Sequence, residues 1–187
     1  MIILVDMDGV LENLSEEWVR LLNRQYGTDV SPTGLQNWNM KANFPTLTAD
    51  EIKAAELNPE LYYKLKPLEG AQEILKRLKD EGHEIYIVTN TPHEIVSLKM
   101  TEVLFKLYPF LSWKDVIITA HKQLVKGDVL IDDAPQNLIG GSYHKILMDA
   151  SYNRNIDDAS CGITRVKNWQ EVYEQIEKIK HMSRSKR

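Results

Sequence analysis

Residues 1–14 read MIILVDMDGVLENL, and the fold turns on how this stretch is read. Five apolar residues, Met1 to Val5, run straight into Asp6-Met7-Asp8 and then Gly9. The apolar run has the character of a buried strand. Two carboxylates at its end repel each other and are costly if left dry and unpaired. A strand ending this way needs a positive group or a reaction beside it.

Five further runs have strand character: EIYIVT (84–89), DVIIT (115–119), DVLID (128–132), KILMD (145–149) and GITRV (162–166). Together with IILVD (2–6) they alternate with helical patterns. Residues 69–82 place Ala71, Ile74, Leu75 and Leu78 at the i, i+3, i+4, i+7 spacing of an amphipathic helix, with Gly82 as its stop. Residues 92–108 read as a helix capped by Thr91 with Pro92 in its first turn. A last helix is expected over 168–181. This alternation predicts an α/β fold, a doubly wound, Rossmann-like parallel sheet covered on both faces. Ligands of such sheets bind beyond the carboxyl ends of the strands, where the strand order switches. Asp6, Thr89 and Asp132 all stand at such ends.

Some fifty residues between the first strand and the helix at 69 contain no convincing strand. Residues 15–27 are helical, and 47–65 read as two helices broken at Asn58-Pro59. Residues 31–45 are polar and turn-rich, punctuated by Trp38 and Phe44. The division expected is an α/β core over 1–14 and 68–187, with a small helical cap over 15–67.

At 187 residues the chain is long enough for one domain with a sizeable core. Its 43% hydrophobic and 27% charged residues argue against disorder. A net charge of −4 offers no footprint for a nucleic-acid polymer. No run of about 18 apolar residues indicates a membrane span, and the opening run reads as a strand, not a signal peptide. The single cysteine, Cys161, excludes an internal disulfide and a thiolate metal knuckle. It fits a reducing, cytoplasmic compartment, and no activating neighbour marks it as a nucleophile. The basic end KIKHMSRSKR (178–187) reads as a solvated, frayed helix end.

Four acids are expected to converge: Asp6 and Asp8 from the first strand, Asp132 and Asp133 from VLIDDAP. Such a cluster cannot stay ionised in a partly dry cleft without a cation. Oxygen-only ligands point to a hard ion, most simply Mg²⁺. His83, His93, His121, His144 and His181 show no ligand spacing and read as surface residues.

DMDGV (6–10) resembles the DxDG(V/T) signature of the haloacid dehalogenase (HAD) superfamily of phosphatases, and the superfamily's other motifs follow in order. Thr89 closes the hydrophobic strand in IVTNT, Lys122 precedes the acidic pair, and the acids come in LIDD. More narrowly, the chain is similar to the 5'(3')-deoxyribonucleotidases, the cytosolic type C nucleotidases. DMDGVLENL, KLKPLEGAQEIL, IVTNTP, HKQLVKGDVLIDDAP and VKNW carry that likeness. The resemblance implies hydrolysis of a small phosphomonoester, a deoxynucleoside monophosphate, and is compatible with a homodimer. It implies that Asp6 attacks phosphorus and Asp8 serves as general acid and base. Mg²⁺ would be held by Asp6, the Asp8 carbonyl and Asp132, with Asp133 orienting its waters. Lys122 would bind phosphate and neutralise the nucleophile, and Thr89 would donate to a phosphate oxygen.

Substrate contacts are expected from Trp38 and Phe44 by stacking on a base, from Asn90 by hydrogen bonding, and from Leu14. Leu14 stands where animal members have Phe, and Ala120 and Ala134 where they have basic residues. These departures leave base and sugar preference open. A phosphatase for another small metabolite, such as a sugar phosphate, and a catalytically silent binding module are the alternative readings.

Overall fold

The structure, a computed structural model, describes residues 1–185. Strand β1 (Ile2–Val5) lies inside the sheet, with Ile3, Leu4 and Val5 entirely buried. After the loop 6–13 the chain leaves the sheet for helix α1 (Leu14–Tyr26), which buries Val19, Leu21 and Leu22 and ends at Gly27. Three short helices follow, each with a side chain satisfying its free N-terminal amides. In α2 (Met40–Asn43) the cap is Asn39, and in α3 (Ala49–Glu56) it is a capping box of Thr48 and Glu51. Helix α4 (Pro59–Tyr63) is capped by Asn58 with Pro59 in its first turn, so the chain breaks where Asn58-Pro59 predicts.

The sheet resumes through α5 (Ala71–Asp80), whose buried side is Ala71, Ile74, Leu75 and Leu78, and then β2 (Glu84–Thr89). The next helix departs from expectation. Thr91 does not cap it: the side chain is buried and its hydroxyl lies 3.2 Å from that of Thr89. Helix begins only at α6 (Val96–Leu98), passes into a π-helical stretch (Lys99–Leu104), and finishes as α7 (Phe105–Leu107). β3 (Val116–Ile118), β4 (Val129–Asp132), α8 (Pro135–Leu138), β5 (His144–Met148), β6 (Ile163–Val166) and α9 (Trp169–Ser185) complete the chain. The basic end is helical as far as Ser185; Lys186 and Arg187 lie outside the described residues.

All five strand pairings are parallel, in the order β3-β2-β1-β4-β5-β6. Val5 stands opposite Ile87 on one side and Ile131 on the other. Strand order reverses between β1 and β4, so the crevice predicted for such a sheet opens beyond Val5 and Asp132. The two faces are unequal. Ile3, Val5, Ile85, Ile87, Val129 and Ile131 face a large core closed by Leu75, Leu78, Trp169, Val172 and Ile176, which also runs into the inserted helices. Leu4, Val88, Leu130 and Leu147 face a smaller core with Leu138 and Tyr143. The links between β3 and β4 and between β4 and β5 are too short for a long helix. That second face is covered by α8 and loops.

Candidate active site

Register puts the two strand-end acids side by side. The Asp6 N–H donates to the Ile131 carbonyl at 2.8 Å, so the residues after Val5 and Ile131 emerge together. Asp6, Asp132 and Asp133 are all buried, and each presents a carboxylate oxygen within 4.8 Å of the others. Lys122, on a 3₁₀ turn after β3, reaches between them. Its Nζ lies 2.5 Å from Asp6 Oδ1 and 2.7 Å from Asp132 Oδ2. The Ala134 N–H (2.8 Å) and the Asn137 side-chain amide (3.1 and 3.2 Å) donate to Asp132. The Tyr152 hydroxyl donates to Asp133. Gly9, at φ 72, lies against this group: a Cβ there would sit 2.5 Å from Asp133 Oδ2. The glycine thus permits both the left-handed turn and the close approach.

Burial, reinforced by the charges of Asp132 and Asp8, outweighs Lys122 and pushes Asp6 up to about 7. Burial and the same two neighbours, Asp132 and Asp6, raise Asp133 well above the carboxylate range despite the Tyr152 hydrogen bond. Burial works against the Lys122 charge, but Asp6 and Asp132 more than compensate and keep it an ammonium. Three carboxylates therefore face one ammonium. The deficit of positive charge and the all-oxygen donor set suit a hard divalent cation.

Asp8 points elsewhere. Lys99 Nζ lies 2.5 Å from its Oδ1 and donates to its Oδ2 at 2.6 Å. Burial would raise Asp8, yet Lys99, the Glu12 hydrogen bond and Lys122 carry it below its ordinary value. Glu12 is wholly buried, its carboxyl against that of Asp8 and close to the Leu14 backbone. Burial and the adjacent Asp8 charge hold it well above the usual range.

A cleft of about 270 Å³ opens over these groups. Asp6, Asp8, Asn90, Ala120, Lys122, Asp133 and Asn137 form its floor, and Leu14, Trp18, Trp38, Asn39, Met40, Ile52 and Glu56 its far wall. Asn90, Leu14 and Trp38 thus reach the cleft, and Trp38 is 56% exposed. Thr89 is fully buried at the end of β2, its hydroxyl beside that of Thr91. Phe44 does not reach the cleft: it is buried in the large core, where its ring anchors α2, and it is withdrawn as a base contact. Ala134 is also buried and absent from the cleft.

Sequence reading missed Lys99, Glu12, Trp18, Asn137 and Tyr152. Trp18, on α1, lines the cleft, and its buried Nε1 has no hydrogen-bond partner among the described residues. His83 corrects another expectation: it is buried, not on the surface. It lies near Glu81 and Glu177. Those acids already pair with Arg77 and Lys180, so the surroundings carry their own cations.

A six-stranded parallel sheet with a helical insertion after β1, and acids gathered with a lysine at the strand ends, is the fold of haloacid dehalogenase-type proteins. The fold matches a HAD family hydrolase from Deinococcus radiodurans, solved with bound phosphate and sodium (TM-score 0.66, 16% identity, 95% of each chain). It also matches a haloacid dehalogenase-like protein from Agrobacterium tumefaciens (TM-score 0.68, 15% identity, 95% of this chain and 98% of that one). Within that class the chain belongs to the 5' nucleotidase, deoxy (Pyrimidine), cytosolic type C family, whose model matches residues 1–182. It is 32% identical over 172 residues to a 5'(3')-deoxyribonucleotidase of Bacillus subtilis, covering 91% of this chain and 95% of that one. It is 28% identical over 176 residues to one of Clostridium acetobutylicum, covering 94% of each. The protein is a phosphatase of the nucleotidase kind. No helix among the described residues is long and apolar enough to cross a membrane.

Proposed function

We propose that the protein hydrolyses deoxynucleoside monophosphates to deoxynucleosides and phosphate through a phospho-aspartate on Asp6. The observation that carries this reading is the buried Asp6–Lys122 pair opening onto a cleft walled by the inserted helices. Asp6 leaves a rigid, fully paired strand, so its carboxylate is aimed for in-line attack, and the P–O bond to the sugar breaks as the Asp6–phosphorus bond forms. Asp8, held ionised beside Lys99 in the free protein, takes up the proton of the bound phosphate monoanion and passes it to the leaving oxygen. The resulting carboxylate then takes a proton from the water that attacks phosphorus, which frees Asp6 and restores Asp8. Lys122 attracts the phosphate as a point charge and keeps Asp6 available as an anion. The Thr89 hydroxyl, with the backbone amides of Met7, Asp8 and Asn90, receives the remaining phosphate oxygens.

A Mg²⁺ held by Asp6, the Asp8 carbonyl and Asp132, with Asp133 orienting its waters, would supply positive charge to the phosphate oxygens. The charge deficit among the buried carboxylates supports it. Trp38, exposed on the cleft wall, is placed to stack on a base, and Asn90 to hydrogen-bond base or sugar.

One observation favours a second reading. Ala120 lines the cleft where animal members carry a basic residue, leaving Lys122 as the cleft's one cationic side chain among the described residues. A sugar phosphate or another small phosphomonoester would fit such a cleft. A substrate panel separates the readings: dUMP, dTMP and dGMP against sugar phosphates, compared by kcat/KM with Mg²⁺ and with EDTA. Highest kcat/KM for deoxynucleotides, lost in EDTA and reduced at least ~10⁴-fold in a folded Asp6→Asn variant, is the expected result. Full activity in Asp6→Asn would end the covalent mechanism.

A further inference from the structure

The interaction that neither the motifs nor the family description accounts for is the buried ion pair between Lys99 and Asp8. Lys99 is 1% exposed, although its side chain is among the longest and best hydrated in proteins. It lies at the start of the π-helical stretch Lys99–Leu104, where Lys99 and its neighbour Met100 are both buried. A π-helical turn holds an extra residue relative to an α-turn and is frequent at functional sites. Lys99 sits between the buried Ile95 and Val103, four residues from each, so an ammonium enters the interior from a helix that otherwise packs through apolar side chains. The ammonium is within 2.6 Å of both Asp8 oxygens, while Lys122 holds Asp6 and Asp132. The two buried lysines divide the work: one meets the strand-end acids, the other meets Asp8.

We propose that Lys99 is the positioning residue of proton transfer, fixing the Asp8 carboxyl where it reaches the leaving-group oxygen. The idea rests on the phosphatase reading above. Lys99 is absent from the cleft lining, so its effect on substrate passes through Asp8. Without it, Asp8 keeps its place in the chain but loses the partner that sets its rotamer. Glu12 remains beside it and offers no positive charge. The strand-end group of Asp6, Lys122 and Asp132 is untouched.

The leaving group gives a test that general damage would not pass. A deoxynucleoside leaves as an alkoxide and needs the Asp8 proton, whereas nitrophenolate leaves without one. The parameter kcat/KM reports steps up to formation of the phospho-aspartate. In Lys99→Met, kcat/KM for a deoxynucleoside monophosphate should fall about 30-fold or more, in the range of lost general acid catalysis. For p-nitrophenyl phosphate it should stay within about 3-fold of the unmodified protein. Lys99→Arg, which keeps charge and reach, should restore most of the ratio between the two substrates. Lys99→Gln runs alongside under the same criterion in case Met cannot be accommodated at the buried site. Equal losses on both substrates, or no loss on the nucleotide, would overturn the role given to Lys99. An unmodified protein that hydrolyses neither substrate would instead overturn the phosphatase reading itself.

Discussion

Asp6 is the residue at which catalysis and stability are most directly opposed. A nucleophile must be an anion, yet burial and the charges of Asp132 and Asp8 hold it at about 7 in the fold, against an ordinary 3.8. A carboxyl whose value is raised on folding binds its proton more tightly in the native state. It therefore contributes stability that is fully present below 3.8 and is lost as pH rises through about 7. The span corresponds to roughly 4 kcal/mol for this one group. Asparagine keeps the shape and has no proton to lose. In buffer with EDTA, the stability of Asp6→Asn relative to the unmodified protein should therefore climb between about pH 4 and pH 7, by a few kcal/mol. Urea unfolding of both proteins across that range measures it. A difference that is flat with pH would mean that Asp6 is already ionised in the metal-free fold. The same substitution should remove activity, so the site would be exchanging stability for a reactive anion.

Element by element, legibility followed how strongly each local pattern fixes direction. Strand β1 was readable because period, length and the abrupt Asp6-Met7-Asp8 all agree, and parallel pairing with β4 then placed Asp132 beside Asp6. The helix break at Asn58-Pro59 was readable because proline and an Asn cap act within one turn. Lys99 was not. Lys99 is spaced four residues from the buried Ile95 and Val103, but an ammonium argues for solvent, and nothing local supplies the distant Asp8 that pairs with it in the interior. Glu12 was equally hidden, since nothing local says that a loop glutamate will be wholly buried against Asp8. In the polar segment 31–45 sequence reading ranked Trp38 ahead of Phe44 for stacking on a base but kept both. Phe44 went to the core and Trp38 to the cleft wall, in keeping with the indole as the more amphipathic ring. That separation gives the inserted helices a testable task. Base stacking is worth about 1–3 kcal/mol, so Trp38→Ala should raise KM for a deoxynucleoside monophosphate about 5- to 150-fold. Hydrolysis of a sugar phosphate should be nearly unchanged. Equal losses on both would make Trp38 a packing residue.

Across the whole molecule, the sheet's strand order creates an electrostatic problem that a bound cation would relieve. Parallel strands in the order β3-β2-β1-β4-β5-β6 send the ends of β1 and β4 to one point, and both end in acids. Asp6, Asp132 and Asp133 meet there with Lys122 as their shared ammonium. Burial and mutual repulsion hold Asp6 and Asp133 above the carboxylate range. An ion that binds the native state and not the unfolded chain adds stability by mass action, about 2.7 kcal/mol at 100 times its dissociation constant. For a chain of this size that is about 5–10 °C in Tm. Mg²⁺ should therefore raise Tm by several degrees over an EDTA control at pH 8. It should raise Tm less at pH 5, where protons compete for Asp6 and Asp133. Asp132→Asn should lose most of the increment, because one of the three converging carboxylates is gone. Thermal scans over a Mg²⁺ titration at the two pH values decide the matter. A Tm that ignores Mg²⁺ at pH 8 would mean that Lys122 alone neutralises the group, and the cation would then have to be sought in the complex with substrate.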